Sequence, residues 1–284
     1  MVLAPDMQKA VDTLRPLSSA AQRLIALLGN EEYEIEDVIQ IVELDTTLTA
    51  RLLSFVNSAS FGVGVEISSI RDAVRFAGDK VVLGLALQIC GSEVFGHELR
   101  AYACSEEALW RHSLLVAIAA RNIAKRYLSN ELAGVAYTAG MLHDIGKAVI
   151  VSWLPTTPSE VLAARPLDAT SFTDLEQELV GTDHSELGAA MAKHWSLPRN
   201  LLNCIQFHHN PKHAPADLQP LVYAIHLADF LAMMSGVGTG LDDMQYSMDS
   251  GCYDFIDISP SEVDEIVFSA TEEHRRLLGS FKKV

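Results

Sequence analysis

The sequence predicts an all-α protein, and two observations support this fold class. Apolar residues recur at helical spacing along most of the 284 positions, and no alternating strand pattern of comparable length accompanies them. The composition is 49% hydrophobic and only 7% aromatic, which is typical of a soluble helical protein. A chain of this length is long enough to bury a large core in one or two domains.

The first hundred residues are predicted to form short amphipathic helices separated by capping and breaking residues. The predicted helices lie within residues 1–30, 35–44, 45–56, 68–77 and 78–94. Asp45 and Ser69 are typical residues for capping a helix N-terminus. Asn57 begins a break, and its side-chain amide suits a bend because it can bond local backbone groups.

The remaining residues are predicted to form longer helices. These helices cover about 106–128 and 140–150, and others start near residues 183, 198, 218 and 259. Asp183 with Glu186 three positions later resembles a capping box. Residues 155–175 are predicted to be a loop with a short helix inside, and residues 235–257 a loop rich in Gly, Ser and Asp.

Charge and cysteine usage limit the classes of partner. The formal net charge is −16, so the surface would repel nucleic-acid phosphates and anionic lipid, and neither nucleic acid nor a membrane is an expected partner. The four cysteines form no CxxC pair and favour reduced thiols. We find no signal-peptide pattern and no apolar run long enough to span a bilayer, so we expect a cytoplasmic protein.

The stretch Gly140-Met141-Leu142-His143-Asp144-Ile145-Gly146-Lys147 carries the strongest chemical signal. Its apolar residues recur at helical spacing, so we place it on a buried helix. Adjacent helical positions differ by about 100°, so His143 and Asp144 could converge on one ion, with Lys147 on the same face. An imidazole with a carboxylate suits Zn, Fe, Mn or Ni. The alternative is a buried His–Asp hydrogen bond, with Lys147 reaching water.

Two other polar residues fall on apolar helical stripes. His112 lies on the stripe of the helix predicted at 106–128, where a single histidine is more often a core residue than a ligand. Asp229 lies on the stripe of the helix that starts near residue 218. A buried carboxylate without a partner is costly, so Asp229 requires one.

The first third of the chain resembles the HDOD domain, a helical module of bacterial signalling proteins. The matching residues are 45–53, 57–59, 61–62, 67–70, 73–74 and 77–78. Thr46 departs from the proline that is usual in the family. The resemblance implies an N-terminal helical HDOD layer at residues 1–100, and an HD-type helical metal-binding core with a C-terminal helix at residues 101–284.

The order of a histidine, a His-Asp pair and a late aspartate resembles the HD superfamily of metal-dependent phosphohydrolases. The resemblance implies that His112, His143, Asp144 and Asp229 surround one divalent ion. It also implies a possible second ion held by His184, His208 and His209. These three residues have a plainer interpretation, because a histidine is common at a helix start and favourable at a helix end.

If the protein is an enzyme, the same resemblance implies catalytic roles for Asp144 and Lys147. Asp144 would bind the metal, and Lys147 would steady developing negative charge. Residues 210–213 read Asn-Pro-Lys-His where the HD-GYP cyclic-dinucleotide phosphodiesterases have Gly-Tyr-Pro, and Ala108 replaces their glutamate, so that activity is not supported. The motif Gly-Val-Gly-Thr-Gly at 236–240 follows a helix, which makes it a weak phosphate-loop candidate.

Two functions remain open. The first is an HDOD-type regulatory protein with a metal-loaded core that acts through a protein partner, with the N-terminal layer as the binding surface. The second is a metal-dependent phosphohydrolase acting on a nucleotide or another phosphate ester. A hydrolase needs an open coordination position and a substrate pocket, whereas a regulatory site can be closed.

Overall fold

The computed structural model describes residues 3–14, 19–28, 34–57, 67–77, 82, 99–155, 157–163, 171–242 and 246–280. These ranges contain helices, turns and one isolated bridge between Leu99 and Cys104, and no strand, so the all-α prediction is confirmed. Most of the helix predicted at 78–94 and most of the break after Asn57 lie outside the described residues.

The N-terminal layer consists of short helices. They are α1 (Pro5–Asp12), α2 (Ser19–Leu28), α3 (Ile35–Glu43), α4 (Thr46–Val56) and α5 (Ile70–Ala77). The predicted caps are confirmed, because the Asp45 carboxylate accepts from Leu48 N at 3.0 Å and the Ser69 hydroxyl accepts from Asp72 N at 3.0 Å.

Asn57 joins the end of α4 to the segment before α5. Its amide Nδ2 donates to the carbonyl oxygens of Leu53 and Ile67, and its Oδ1 accepts from Ile67 N. The predicted backbone bonding by Asn57 is therefore confirmed, and one of its partners lies ten residues further along the chain.

The larger core begins after a 3₁₀ turn at Arg100–Tyr102. Its helices are α6 (Glu106–Ile123), α7 (Asn130–Leu142), α8 (Lys147–Ile150), α9 (Pro158–Ala163), α10 (Phe172–Val180), α11 (His184–His194), α12 (Arg199–Phe207), α13 (Gln219–Met234), α14 (Cys252–Phe255) and α15 (Pro260–Ser280). The end predicted for α6 near residue 128 forms a π-helical turn, Ala124–Leu128. Helix α6 is central, because α7, α13 and α15 all pack against it.

Three element predictions need correction. The loop predicted at 235–257 contains one short helix, α14. The predicted helix over 140–150 is interrupted, because α7 ends at Leu142 and tight turns connect it to α8. The loop predicted to extend to residue 175 ends earlier, at α10, because Ser171 and Asp174 form a reciprocal capping box that starts this helix. In the described part of the chain, no helix is both long and apolar enough to cross a membrane.

The N-terminal layer and the larger core share one hydrophobic cluster that runs from Leu3 to Ala270. Helix α1 packs on α11, α2 on α7 and α5 on α15. The imidazole Nε2 of His194 also lies 3.2 Å from the carbonyl oxygen of Leu14. These contacts support folding as one unit, which stays a prediction.

We expect a fragment of residues 101–284 to aggregate or to melt without cooperativity. The apolar faces of α7, α11 and α15 would lose the helices that cover them, and each side chain uncovered loses about 1.5–3 kcal/mol of burial. Thermal unfolding of the fragment and of the full chain, followed by circular dichroism, measures this. A soluble fragment that melts cooperatively would contradict the prediction and establish two independent domains.

Candidate metal centre

The His143-Asp144 pair lies at the end of α7, in the turn that interrupts the predicted helix. The imidazole Nδ1 of His143 donates to the carbonyl oxygen of Gly140 at 2.7 Å. The turn also lies directly against α11, because a Cβ atom at Gly146 would collide with the carbonyl oxygen of His184. Glycine at this position therefore lets the turn pack directly against α11.

The structure brings together all seven residues for which the sequence predicted metal binding. Their nitrogen and oxygen atoms form two groups, and within each group the atoms lie within 4.8 Å of one another. One group contains Asp144, His184, His208 and His209, and the other contains His112, His143 and Asp229. These residues come from α6, the turn after α7, α11, the segment after α12, and α13.

Asp144 connects the two groups. Its Oδ2 lies 3.4 Å from Nε2 of His143, and its Oδ1 lies 3.2 Å from Nε2 of His184 and 3.7 Å from Nε2 of His208. On the other side, Oδ1 of Asp229 lies 3.0 Å from Nε2 of His112. The two oxygens of one carboxylate therefore face different sets of imidazoles, which is the arrangement a bridging ligand needs.

Hydrogen bonds on the far sides of the rings aim the Nε2 atoms inward. Nδ1 of His112 lies 2.7 Å from the carbonyl oxygen of Val237, and Nδ1 of His208 lies 2.8 Å from that of Ile205. A carbonyl oxygen only accepts, so Nδ1 carries the hydrogen and Nε2 of a neutral ring carries a lone pair. This pattern is typical of metal-binding histidines.

Several of these inward atoms have no hydrogen-bond partner among the described residues. They are Nε2 of His143, Nε2 of His208 and Oδ1 of Asp144, and all three are buried. Lone pairs that face each other without a proton or a cation between them repel. Imidazole nitrogens with carboxylate oxygens suit divalent Fe, Mn, Zn or Ni, so the residues present fit such an ion.

The two carboxylates of the site are kept ionised. Burial alone would raise the pKa of Asp144, but the adjacent His143 and the ammonium of Lys147 outweigh it and hold that pKa well below its usual range. Burial would likewise raise the pKa of Asp229, but the adjacent imidazoles of His112 and His143 hold it well below its usual range. Both carboxylates are therefore negatively charged and can bind a cation.

The three histidines that are grouped with Asp144 differ in protonation. Burial lowers the pKa of His208 to about 4, and burial together with His208 holds the pKa of His209 well below its usual value. Burial would also lower the pKa of His184, but Glu176 and Asp144 raise it to about 10. A metal ion would displace the proton on His184, so binding would release protons.

Lys147 is enclosed in a buried polar network rather than directed to water. Its Nζ lies 2.7 Å from Oδ2 of Asp144, 2.5 Å from Oδ2 of Asp242 and 3.0 Å from the hydroxyl of Thr239. An ammonium group has three hydrogens, and these contacts use all of them. The catalytic role implied for Lys147 stays a prediction, while the contacts assign it to holding Asp144.

The sequence interpretation missed Glu176, although a signal was available. Glu176 lies on the apolar stripe of α10 with Phe172 and Leu175, so a buried position could have been predicted. Its carboxylate accepts from both the backbone N and Nδ1 of His184, and it also accepts from the hydroxyl of Tyr102. Glu176 therefore orients a candidate ligand.

The glycine-rich segment 236–240 belongs to a loop that covers the site. Val237 bonds His112, and Leu241 N donates to the carbonyl oxygen of Tyr102 at 2.7 Å. Gly240 has φ +107° and lies so close to Tyr102 that a Cβ atom there would collide with its carbonyl oxygen. The loop therefore supports candidate ligands, and it needs glycine for both its backbone conformation and its close packing.

Fold and site together define a class, an all-helical protein with a buried histidine and aspartate centre that could hold a metal ion. A family model of the HDOD domain matches residues 14–211, which is more than half of the chain. The chain therefore belongs to the HDOD family, and the resemblance read from the sequence is confirmed. The match includes every candidate ligand except Asp229, which lies beyond its end.

Three comparisons place the chain among known proteins. An HDOD domain protein with unknown function from Geobacter sulfurreducens has a TM-score of 0.65 at 24% identity, covering 98% of this chain and 95% of that one. A protein from Shewanella amazonensis SB2B named "Putative phosphohydrolase" has a TM-score of 0.63 at 25% identity, covering 98% of each chain. An uncharacterized protein of Treponema pallidum (strain Nichols) is 27% identical over 230 residues. That match covers 80% of this chain but only 44% of the relative.

Proposed function

We propose that this HDOD protein is a metal-loaded regulatory module that acts through a protein partner. The observation that carries the metal part of the proposal is the convergence of buried, unpartnered imidazole and carboxylate atoms. A solved structure similar to this chain, from Marinobacter aquaeolei VT8, is named "Putative signal transduction protein". Its TM-score of 0.70 at 22% identity supports the fold.

Each ion has a distinct proposed set of ligands. His112, His143, Asp144 and Asp229 would hold the first ion, and His184, His208 and His209 would hold the second with Asp144 between them. Bound ions of this kind polarise phosphoryl oxygens and lower the pKa of coordinated water. Glu176 and Lys147 would hold His184 and Asp144 in place, since each already contacts its neighbour.

The regulatory interpretation is favoured over hydrolysis by the enclosure of the site. His143, Asp144, His184 and His208 are at most 2% exposed. The ammonium of Lys147 is fully engaged by protein oxygens, so it would have to leave two carboxylates to contact a phosphate. Hydrolysis of a nucleotide or another phosphate ester stays the alternative, because the same ligand set suits it and Asp144 would bind its metal.

The proposed partner surface is the N-terminal layer. Ile35 is 52% exposed and Leu44 is 73% exposed, so apolar groups stand at both ends of α3. A hollow of about 200 Å³ lies beside Leu44, between the start of α2 and the segment that joins α3 to α4. Leu44 lines this hollow, and an exposed apolar side chain beside a hollow is a feature of protein interaction sites.

Elemental analysis of the full chain, purified without added metal, tests the proposed function. We expect a divalent transition metal at up to two ions per chain, and no turnover when the same sample is screened with phosphatase and phosphodiesterase substrates. Turnover that depends on the metal would establish the hydrolase instead. A wild-type protein without metal would remove the metal centre from the proposal.

The His208→Ala variant separates the two ions. We expect its metal content to fall from near two ions per chain toward one. His208 is grouped with Asp144, His184 and His209, and the group of His112, His143 and Asp229 would stay complete. His213→Ala is the matched control, since His213 is exposed and belongs to neither group. A stoichiometry of one in the wild type, unchanged in His208→Ala, would contradict the second ion and leave the first.

A further inference from the structure

His226 lies on α13, one helical turn before the candidate ligand Asp229, and belongs to neither group of candidate ligands. Its side chain is buried, and both ring nitrogens are engaged. Nδ1 lies 2.7 Å from the carbonyl oxygen of His208, and Nε2 lies 2.9 Å from the backbone N of Asp249. Because a carbonyl oxygen only accepts and a backbone N–H only donates, the ring is neutral and carries its hydrogen on Nδ1.

The bond to His208 restrains two candidate ligands. His208 follows the last residue of α12, where carbonyl groups have no partner within the helix. Its carbonyl belongs to the peptide unit that joins it to His209, and this unit is planar. The hydrogen bond from His226 therefore fixes the main chain from which both imidazoles extend.

The second bond of the His226 ring holds the segment 246–251 near the same ligands. Tyr246 of this segment stacks on His209, with ring centroids 3.9 Å apart and planes inclined by 14°. The carboxylate of Asp249 also accepts from the hydroxyl of Tyr223 at 3.4 Å. Tyr223 lies one helical turn before the histidine on α13, so both anchors of the segment come from one helix face.

We propose that His226 is a positioning residue for the second ion, and that it holds the main chain of His208 with one ring nitrogen and the segment 246–251 with the other. The proposal rests on the second ion of the proposed function and adds no ligand to it. Loss of a supporting residue of a metal site commonly weakens metal binding about ten- to a hundredfold. Neither bond of His226 is made to the other group of candidate ligands, so the first ion should keep its affinity.

Release of zinc from the Zn²⁺-loaded full chain to a chromogenic chelator tests the proposal. We expect two kinetic phases in the wild type, and the phase that His208→Ala removes belongs to the second ion. In His226→Ala this phase should be about ten- to a hundredfold faster, because lost affinity appears mainly as faster dissociation. The other phase should keep the rate of the wild type.

Two conservative variants separate positioning from packing. Asparagine can place an amide hydrogen near the position of Nδ1, and glutamine can place an amide oxygen near that of Nε2. His226→Asn should therefore keep the bond to His208, and His226→Gln the bond to Asp249. Each variant should release the second ion more slowly than His226→Ala and faster than the wild type.

His274→Ala is the matched control. His274 is also a buried histidine whose ring bonds a backbone carbonyl oxygen, that of Arg111, and it belongs to neither group of candidate ligands. Its release of the second ion should equal that of the wild type.

The outcomes separate this proposal from the proposed function. Equal release of the second ion by the wild type and His226→Ala overturns the role of His226 and leaves both ions standing. Equal acceleration of both phases overturns it too, because a general loosening of the fold would account for that result. If His226→Ala does not fold, Asn and Gln variants that release the second ion at the wild-type rate overturn it. A wild type with one ion per chain overturns this proposal together with the second ion.

Discussion

Alanine at both His143 and Asp144 is expected to yield a folded protein without transition metal. His143 belongs to one group of candidate ligands and Asp144 to the other, and Asp144 lies between the groups. The double replacement therefore removes a donor from each proposed ion. Single replacements would leave most of either group intact, so the double variant gives the clearest loss.

The melting temperature should fall with the metal. An ion present at a thousand times its dissociation constant stabilises the native state by about 4 kcal/mol, so its loss lowers the melting temperature by on the order of 10 °C in a chain of this size. Elemental analysis and thermal unfolding of the same samples measure both effects. Chelated wild-type protein isolates the contribution of the ion from that of the lost side chains.

His274→Ala is the control for this experiment. His274 is buried, bonds the carbonyl oxygen of Arg111 through Nε2, and belongs to neither group of candidate ligands. The His274→Ala variant should keep the metal content of the wild type, and its change in melting temperature shows the cost in stability of deleting a buried imidazole. Equal, low metal content in the wild type and the double variant would refute the metal centre.

Periodicity was sufficient to predict that two of the candidate ligands face inward, although the ligand set itself came from the family resemblance. His112 and Asp229 stood on apolar stripes of helices that the structure contains, and both are buried within one group of candidate ligands. The stripe decides which face is buried, and a polar group on that face needs a partner. Local sequence could not give the partner itself, because His112 and Asp229 are more than a hundred positions apart.

The supporting residues were harder to predict for a physical reason. Asp242 and Thr239 lie in an irregular loop, where no period relates sequence position to direction, yet both are buried against Lys147. The end of α7 was also missed. The turn that follows packs against His184 on another helix, and local sequence does not show a tertiary contact of this kind.

The glycine-rich motif lies in the covering loop, and the contacts of this loop with the protein account for the motif without phosphate binding. Its backbone bonds His112 through Val237 and Tyr102 through Leu241, and its side chains bond Lys147. The loop thus fixes three neighbours of the metal centre at once.

Lys147→Met is expected to destabilise the protein by about 3–5 kcal/mol, the cost of removing one partner of a buried ion pair. Burial alone would lower the pKa of Lys147, but Asp144 and Asp242 outweigh it and hold the pKa above its usual value, so the charge is present throughout the neutral range. Without it, the buried carboxylate of Asp242 loses its contact with the ammonium, although it still accepts from the hydroxyl of Thr239. Urea unfolding of metal-loaded and chelated protein measures the loss.

The loss should be larger in chelated protein, because a bound ion still neutralises Asp144 when Lys147 is gone. Lys212→Met is the control, since Lys212 is exposed. The double variant Lys147→Met/Asp242→Asn should recover much of the stability, because the stranded charge is removed with its partner. A Lys147→Met protein as stable as the wild type would contradict the positioning role. If that variant kept its stability and metal but lost a metal-dependent phosphohydrolase activity, Lys147 would instead act on the reacting charge.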